Sequence, residues 1–236
     1  MLKKLFFAIM MIAITATTYS QNCDILEQVV NASGGREKLN SVKSTYAEIK
    51  TKVVQGQEME MMMKMWTKGD DKFYMEQEIM GMTMKIGIDG GKGWMVNPMA
   101  GGAQDLPAEQ LSAIKNQNKR NSGLNMFTNW KEEGYKCEDL GTVDVDEKKC
   151  NKVKVTEKDG SSVIYYIDAI TNLIHKFEGS EQGMSIVVFF KQYQKKDGMF
   201  VPKKMETHVN GELAATMDFI KLETNIQIDD SKFKKP

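Results

Sequence analysis

Two histidines, three cysteines and nineteen methionines are the side chains through which this chain could do chemistry or hold a soft ligand. His175 and His208 each stand alone in a strand-like pattern. Neither has a nucleophile or a second imidazole at a spacing that would make it a base, so both read as ordinary strand residues. No Gly-x-Ser-x-Gly elbow, His-Glu-x-x-His helix, Cys-x-x-Cys pair or phosphate-cradling glycine loop occurs. The glycines from Gly87 to Gly93 lie between two strand patterns and make a hairpin turn. Asp144 and Asp146 lack the further oxygen ligands of a calcium loop and read as turn residues. No catalysis, metal or cofactor is expected.

The methionines are distributed unevenly. Eleven of the nineteen fall between Met59 and Met99. Residues 58–66 place Met59, Met61, Met63 and Met65 on one face of an extended chain, with Glu58, Glu60 and Lys64 on the other. That period of two indicates a half-buried strand. Phe73, Met75 and Ile79 continue the pattern, as do Met82, Met84, Ile86 and Ile88. Methionine is flexible and polarizable, so a wall built from it adapts to irregular apolar partners. Three readings stay open: an ordinary filled core, a cavity adapted to acyl chains, and soft-metal binding through Met-x-Met pairs. The third is the weakest, because these pairs lie in a strand with no histidine nearby. The candidate cavity residues are Met61, Met63, Met82, Met84, Trp94, Phe127 and Trp130.

Cys137 and Cys150 flank a hairpin and could be bridged in an oxidising compartment. A turn centred on Asp146-Glu147 sets Cys150 opposite Val143, however, so a bridge needs a bulge or another turn. Unpaired thiols are the alternative.

The surrounding elements follow from periodicity. Asp24 to Ser44 reads as helical, with Ile25, Leu26, Val29 and Val30 on one side and a break at Gly34-Gly35. Residues 108–130, after Pro107, carry Leu111, Ile114, Leu124, Met126, Phe127 and Trp130 at mostly helical spacings, and Gly123 divides them into two short helices. Strands return at 135–140, 149–157, 163–168, 173–178, 184–193, 200–208 and 213–223, with Asp159-Gly160, Asp197-Gly198 and Asn210-Gly211 as turns. No linker or repeat splits the chain. A long antiparallel sheet must twist and curl, and only the two helical segments can cover its concave apolar side. The fold class is mainly β with helices (α+β).

Residues 1–20 read as a signal peptide: Lys3 and Lys4 precede an apolar run from Leu5 to Ala16, and Thr18-Tyr19-Ser20 offers small residues before Gln21. Residues 21–236 then form a single domain. Asn22 before Cys23 argues against a lipidated cysteine. Losing Lys3 and Lys4 takes the formal charge from zero to minus two. Lysines are scattered singly and only Arg36 and Arg120 carry a guanidinium, so no nucleic-acid footprint or bidentate anion clamp is present.

The order of several short motifs resembles the LolA/LolB-like superfamily, and more closely the outer-membrane lipoprotein-sorting-type proteins of Bacteroidetes-like bacteria. The motifs are Gly34-Gly35-Arg36-Glu37-Lys38-Leu39 with Val42-Lys43-Ser44, and Asp89-Gly90-Gly91-Lys92-Gly93-Trp94 with Asn97-Pro98. Tyr166-Ile167-Asp168 with Thr171-Asn172-Leu173 follows, and Asp197-Gly198, Pro202, Asn225 and Ile228 to Phe233 complete the series. The resemblance implies a curved antiparallel sheet forming an incomplete β-barrel, covered by an N-terminal helix and a helical lid. It further implies a cavity for lipoprotein acyl chains or other lipids, periplasmic residence near the outer membrane, envelope transport proteins as partners, a monomer and no cofactor. One departure is that Lys50 and Lys52 stand where the carriers have a lid-closing arginine. The alternative functional reading is an envelope protein-interaction or ligand-sensing module with a filled core.

The n-region, apolar run and small residues fall in the order that export requires, so the mature chain is expected to start at Gln21. N-terminal sequencing of protein purified from the envelope checks this, and a lipid-bearing start at Cys23 would overturn it.

Overall fold

The computed structural model describes residues 24–236 apart from residues 57, 80, 100, 122–126 and 182, and gives the backbone alone for residues 116–121. The chain enters through two short helices, α1 (Asp24–Ser33) and α2 (Arg36–Asn40). Leu26, Val29 and Val30 are buried at helical spacing, which seats α1 on the sheet. Gly34 breaks the helix at φ 135°. A Cβ there would lie 3.0 Å from the Cγ of Met199, so the close approach needs a glycine. Arg36 spans the break with a 2.7 Å ion pair to Glu27. The helical region ends at Asn40, and a strand already begins at Ser44, earlier than the expected helix end.

Thirteen strands follow among the described residues. They are β1 (Ser44–Val53), β2 (Met59–Lys68), β3 (Lys72–Ile79), β4 (Met82–Asp89), β5 (Lys92–Val96) and β6 (Ala103–Asp105), then β7 (Lys136–Val145), β8 (Lys148–Thr156), β9 (Ser162–Asp168), β10 (Ile174–Glu181), β11 (Met184–Lys196), β12 (Met199–Val209) and β13 (Glu212–Thr224). They form one curved, unclosed antiparallel sheet, an incomplete barrel, in the order β6-β5-β4-β3-β2-β1-β13-β12-β11-β10-β9-β8-β7. Two meanders thus run outward from a central seam where β1 pairs with β13. The expected hairpins hold. Asp146 and Glu147 both take positive φ, 48° and 65°, which matches the right-handed twist of the strands they join, and Cys150 sits opposite Val143.

β6 and β7 are the two ends of the open sheet, and residues 106–135 connect them. This connection contains α3 (Ala108–Asn121). The second helix expected after Gly123 begins at residues 124–126, which lie outside the described residues, and is not seen over the rest of its range. Residues 127–134 are a chain of turns, with the Trp130 amide bonding to the Phe127 carbonyl and Gly134 ending them at φ 71°. Thr128 and Asn129 favour such turns over helix.

The core has three parts. The largest lies on the concave side of β8–β12 beneath α1 and includes Leu26, Val30, Phe127, Tyr165, Phe190 and Met205. A second lies on the concave side of β3–β5 beneath α3 and is made of Phe73, Met75, Ile88, Leu106 and Leu111. The third is on the convex side, where Tyr74 and Trp94 meet Ile228 and Phe233 from the C-terminal segment. There, Tyr46, Trp66, Tyr74 and Trp94 form a ladder with successive ring separations of 4.8, 5.5 and 5.9 Å. Gly87 makes room for the last rung, since a Cβ would stand 2.2 Å from the Trp94 ring.

A 3₁₀ turn at Asp230–Phe233 lays the C-terminal segment over this ladder. Phe233 is fully buried, and the Trp94 indole donates to its carbonyl at 2.8 Å. Phe233→Ala should therefore cost about 3–5 kcal/mol, a large part of a typical domain's stability. Urea unfolding measures it. A loss below about 1 kcal/mol would show that the segment is an ornament rather than a clasp.

Candidate functional site

Strand alternation fixes what faces the hollow of the sheet. Ala47, Ile49, Thr51 and Val53 of β1 pair across with Met65, Met63, Met61 and Met59 of β2. Met63 then faces Gln77, Gln77 faces Met84, and Ile79 faces Met82. β13 adds Met217 beside Thr51 and Phe219 beside Ile49. The result is a methionine wall that runs from the second core toward the end of the sheet bearing the β1–β2, β3–β4 and β12–β13 turns. Packing loosens along it: Met75 is 9% exposed, Met63 and Met84 are half-buried, and Met82 is 43% exposed. Exposure thus rises toward this end of the wall, and the opposite end merges with the concave core beneath α3.

Met61, Met63, Met82 and Met84 are brought together on this wall as expected. The other sequence candidates are not part of it. Trp94 lies on the convex side, held by the Phe233 carbonyl, because its strand position has the opposite parity to Met95. Phe127 and Trp130 belong to the connection between β6 and β7 but are packed into the large concave core, with Phe127 edge-on to Tyr165 at 4.9 Å. Lys50 and Lys52 face outward and pair with Glu60 and Glu58 at 2.9 and 3.3 Å, so neither enters the hollow.

Sequence reading missed the polar positions of the wall. No inward position of β1–β4 is charged, and the polar ones are Thr45, Thr51, Thr67 and Gln77. Thr45 and Thr67 satisfy one another through a 2.6 Å hydroxyl contact. Gln77 donates its amide to the Met61 sulfur at 3.3 Å, a weak acceptor. Thr51 is 8% exposed and its hydroxyl has no hydrogen-bond partner. An unsatisfied buried hydroxyl costs about 1–3 kcal/mol. A threonine among alternating strand residues carries no mark of this in sequence.

The cysteine expectation is corrected. Cys137 is disulfide-bonded while Cys150 is a free, buried thiol, so the two do not bridge each other. Cys137 faces the concave core opposite Val155, whereas Cys150 sits opposite Asp168 on the other side of the sheet. Val155 and Cys150 are five residues apart on β8, about 17 Å along the strand, far beyond disulfide reach. Burial pushes the Cys150 thiol pKa up, with Asp168 adding to the shift. Cys23 lies outside the described residues.

No protein-family model and no curated protein matches the sequence. Solved structures do match in shape. A DUF1329-family protein of Desulfovibrio piger superposes with a TM-score of 0.61 at 13% identity, covering 90% of this chain and 96% of the other. A LolA-superfamily protein of Nitrosomonas europaea gives 0.60 at 14%, covering 90% and 97%. A domain of Vibrio parahaemolyticus named for outer-membrane lipoprotein sorting gives 0.57 at 11%, covering 89% and 94%. The fold is LolA-like. In this sheet the methionine wall lies on the same concave side as the two helix-covered cores.

His175 lies away from that hollow. It is buried on the convex side with neither ring nitrogen hydrogen-bonded, and Nε2 is 3.5 Å from Asp146. Its pKa is lowered, first by burial and then by the Lys148 charge, with Asp146 and Asp168 opposing. A base with a depressed folded-state pKa takes up its proton mainly on unfolding. Its contribution to stability is therefore complete above the unfolded value of about 6.5 and is lost as pH falls toward the folded value. Thermal midpoints of the parent should decline over that acid range, and His175→Gln should flatten the decline. An unchanged slope in the variant would remove His175 from the account.

Proposed function

We propose that this protein is a non-catalytic carrier that holds acyl chains of lipoproteins or other lipids against its methionine wall. The observation that carries the reading is the wall itself: an uncharged concave face of thioethers, buried at Met75 and increasingly exposed toward Met82. A flexible apolar wall can accept chains of differing shape, and each buried methylene contributes about 0.8 kcal/mol without any directional contact. The LolA-like fold supports it, as does the likeness to a protein named for lipoprotein sorting. The reading includes export by the N-terminal segment, periplasmic residence near the outer membrane, action as a monomer and exchange with envelope transport proteins.

A wall that binds and a wall that merely fills respond differently to polarity. Met63→Gln and Met84→Gln, made singly, should weaken binding of a fluorescent fatty-acyl probe while moving the thermal midpoint little. In a closed core the same change destabilises the fold by about 1–3 kcal/mol. A large fall in midpoint, or a parent protein that binds no probe, would reduce the wall to ordinary core.

A further inference from the structure

We infer that Thr51 and Gln77 form a polar anchor in the wall, and that the ligand it selects is an acyl group with a carbonyl, an ester or amide, rather than a bare hydrocarbon. This rests on the carrier reading and specifies the ligand of the same hollow. Four polar side chains face inward on β1–β4, and two of them, Thr45 and Thr67, are engaged with each other. The remaining two adjoin the same methionine. Thr51 sits directly across from Met61, and Gln77 donates to the Met61 sulfur. Thr51 is more than nine-tenths buried and its hydroxyl is unpartnered.

A hydroxyl donor without a partner and an amide donor resting on a weak acceptor share a need for a stronger acceptor between them. Among lipid components, the acyl carbonyl is the acceptor that sits at the junction of an apolar chain and a polar remainder. The position in the hollow fits that junction. Thr51 lies between the closed end, where Met75 is nearly sealed, and the open end, where Met82 is 43% exposed. A carbonyl held at Thr51 leaves its chain among the methionines toward the closed end and its polar remainder directed past Val53, Met59 and Met82 to solvent. The absence of charge on these inward positions favours a neutral carbonyl over a free carboxylate.

Thr51→Val keeps the shape and removes the hydroxyl. The experiment compares binding of methyl palmitate and of hexadecane by the full mature protein, with thermal midpoints measured alongside. The parent should prefer the ester, and Thr51→Val should weaken ester binding roughly three- to tenfold while leaving alkane binding unchanged. The midpoint should hold or rise, by roughly 2–4 °C, because a buried unsatisfied hydroxyl has gone. Thr51→Ser should keep the ester preference, and Gln77→Met should lower it. Equal loss for both ligands, an undiminished ester preference in Thr51→Val, or a midpoint that falls would each overturn the anchor while the carrier reading stands. A parent that binds neither ligand would overturn both.

Discussion

The clasp on the convex side is the contact on which the N-terminal half of the sheet depends. Tyr46, Trp66, Tyr74 and Trp94 stack across β1, β2, β3 and β5, and the C-terminal segment seals them with Ile228 and Phe233. Lys232 lies 3.9 Å over the Trp66 ring and 4.7 Å from that of Tyr74, within cation–π range. Lys68 and Lys72 both reach Asp230, and Lys235 reaches Asp105 beside the edge. These exposed ion pairs contribute little individually, whereas the burial of two aromatic faces and Phe233 is large. The half-sheet is therefore held from outside.

That placement gives the N-terminal half a support the C-terminal half does not use. A sheet needs one face buried to be stable. Here the β2–β5 strands bury both faces in part: the convex one beneath the C-terminal segment, and the concave one beneath α3, where Met63, Met65 and Met84 pack against the second core. The C-terminal half is built the other way. β8–β12 bury Val153, Tyr165, Phe190 and Met205 beneath α1 on the concave side. The two halves meet at the β1–β13 seam, where Thr51 lies beside Met217, which packs against the large core beneath α1.

Much of the fold was legible because its signals are local. Alternation in residues 58–66 and 72–88 assigned β2–β4, and paired turn residues such as Asp146-Glu147 and Asn210-Gly211 fixed hairpin registers, down to Cys150 opposite Val143. The same alternation grouped Met61, Met63, Met82 and Met84. What failed depended on the third dimension. Trp94 looked like a cavity residue because it is large and apolar, but a face assignment needs the tail that buries it, 139 residues later in sequence. Phe127 and Trp130 were placed in the correct segment but packed on the far core. Thr51 was invisible, since a hydroxyl's lack of a partner is a property of its neighbours and not of its spacing.

The lid follows from topology rather than from any separate device. Two meanders that start from one seam leave their last strands, β6 and β7, at opposite edges of the opening, and the chain must pass from one to the other. Running across the convex side would collide with the C-terminal segment, so the connection crosses the concave side. Its first apolar contacts, Leu106 and Leu111, join the methionine-side core, and its last, Phe127 and Trp130, join the core beneath α1. Each end is thereby pinned to a different closed core, and Lys115 adds a 2.6 Å bond to the Gly90 carbonyl. Both anchors lie away from Met82 at the exposed end of the wall.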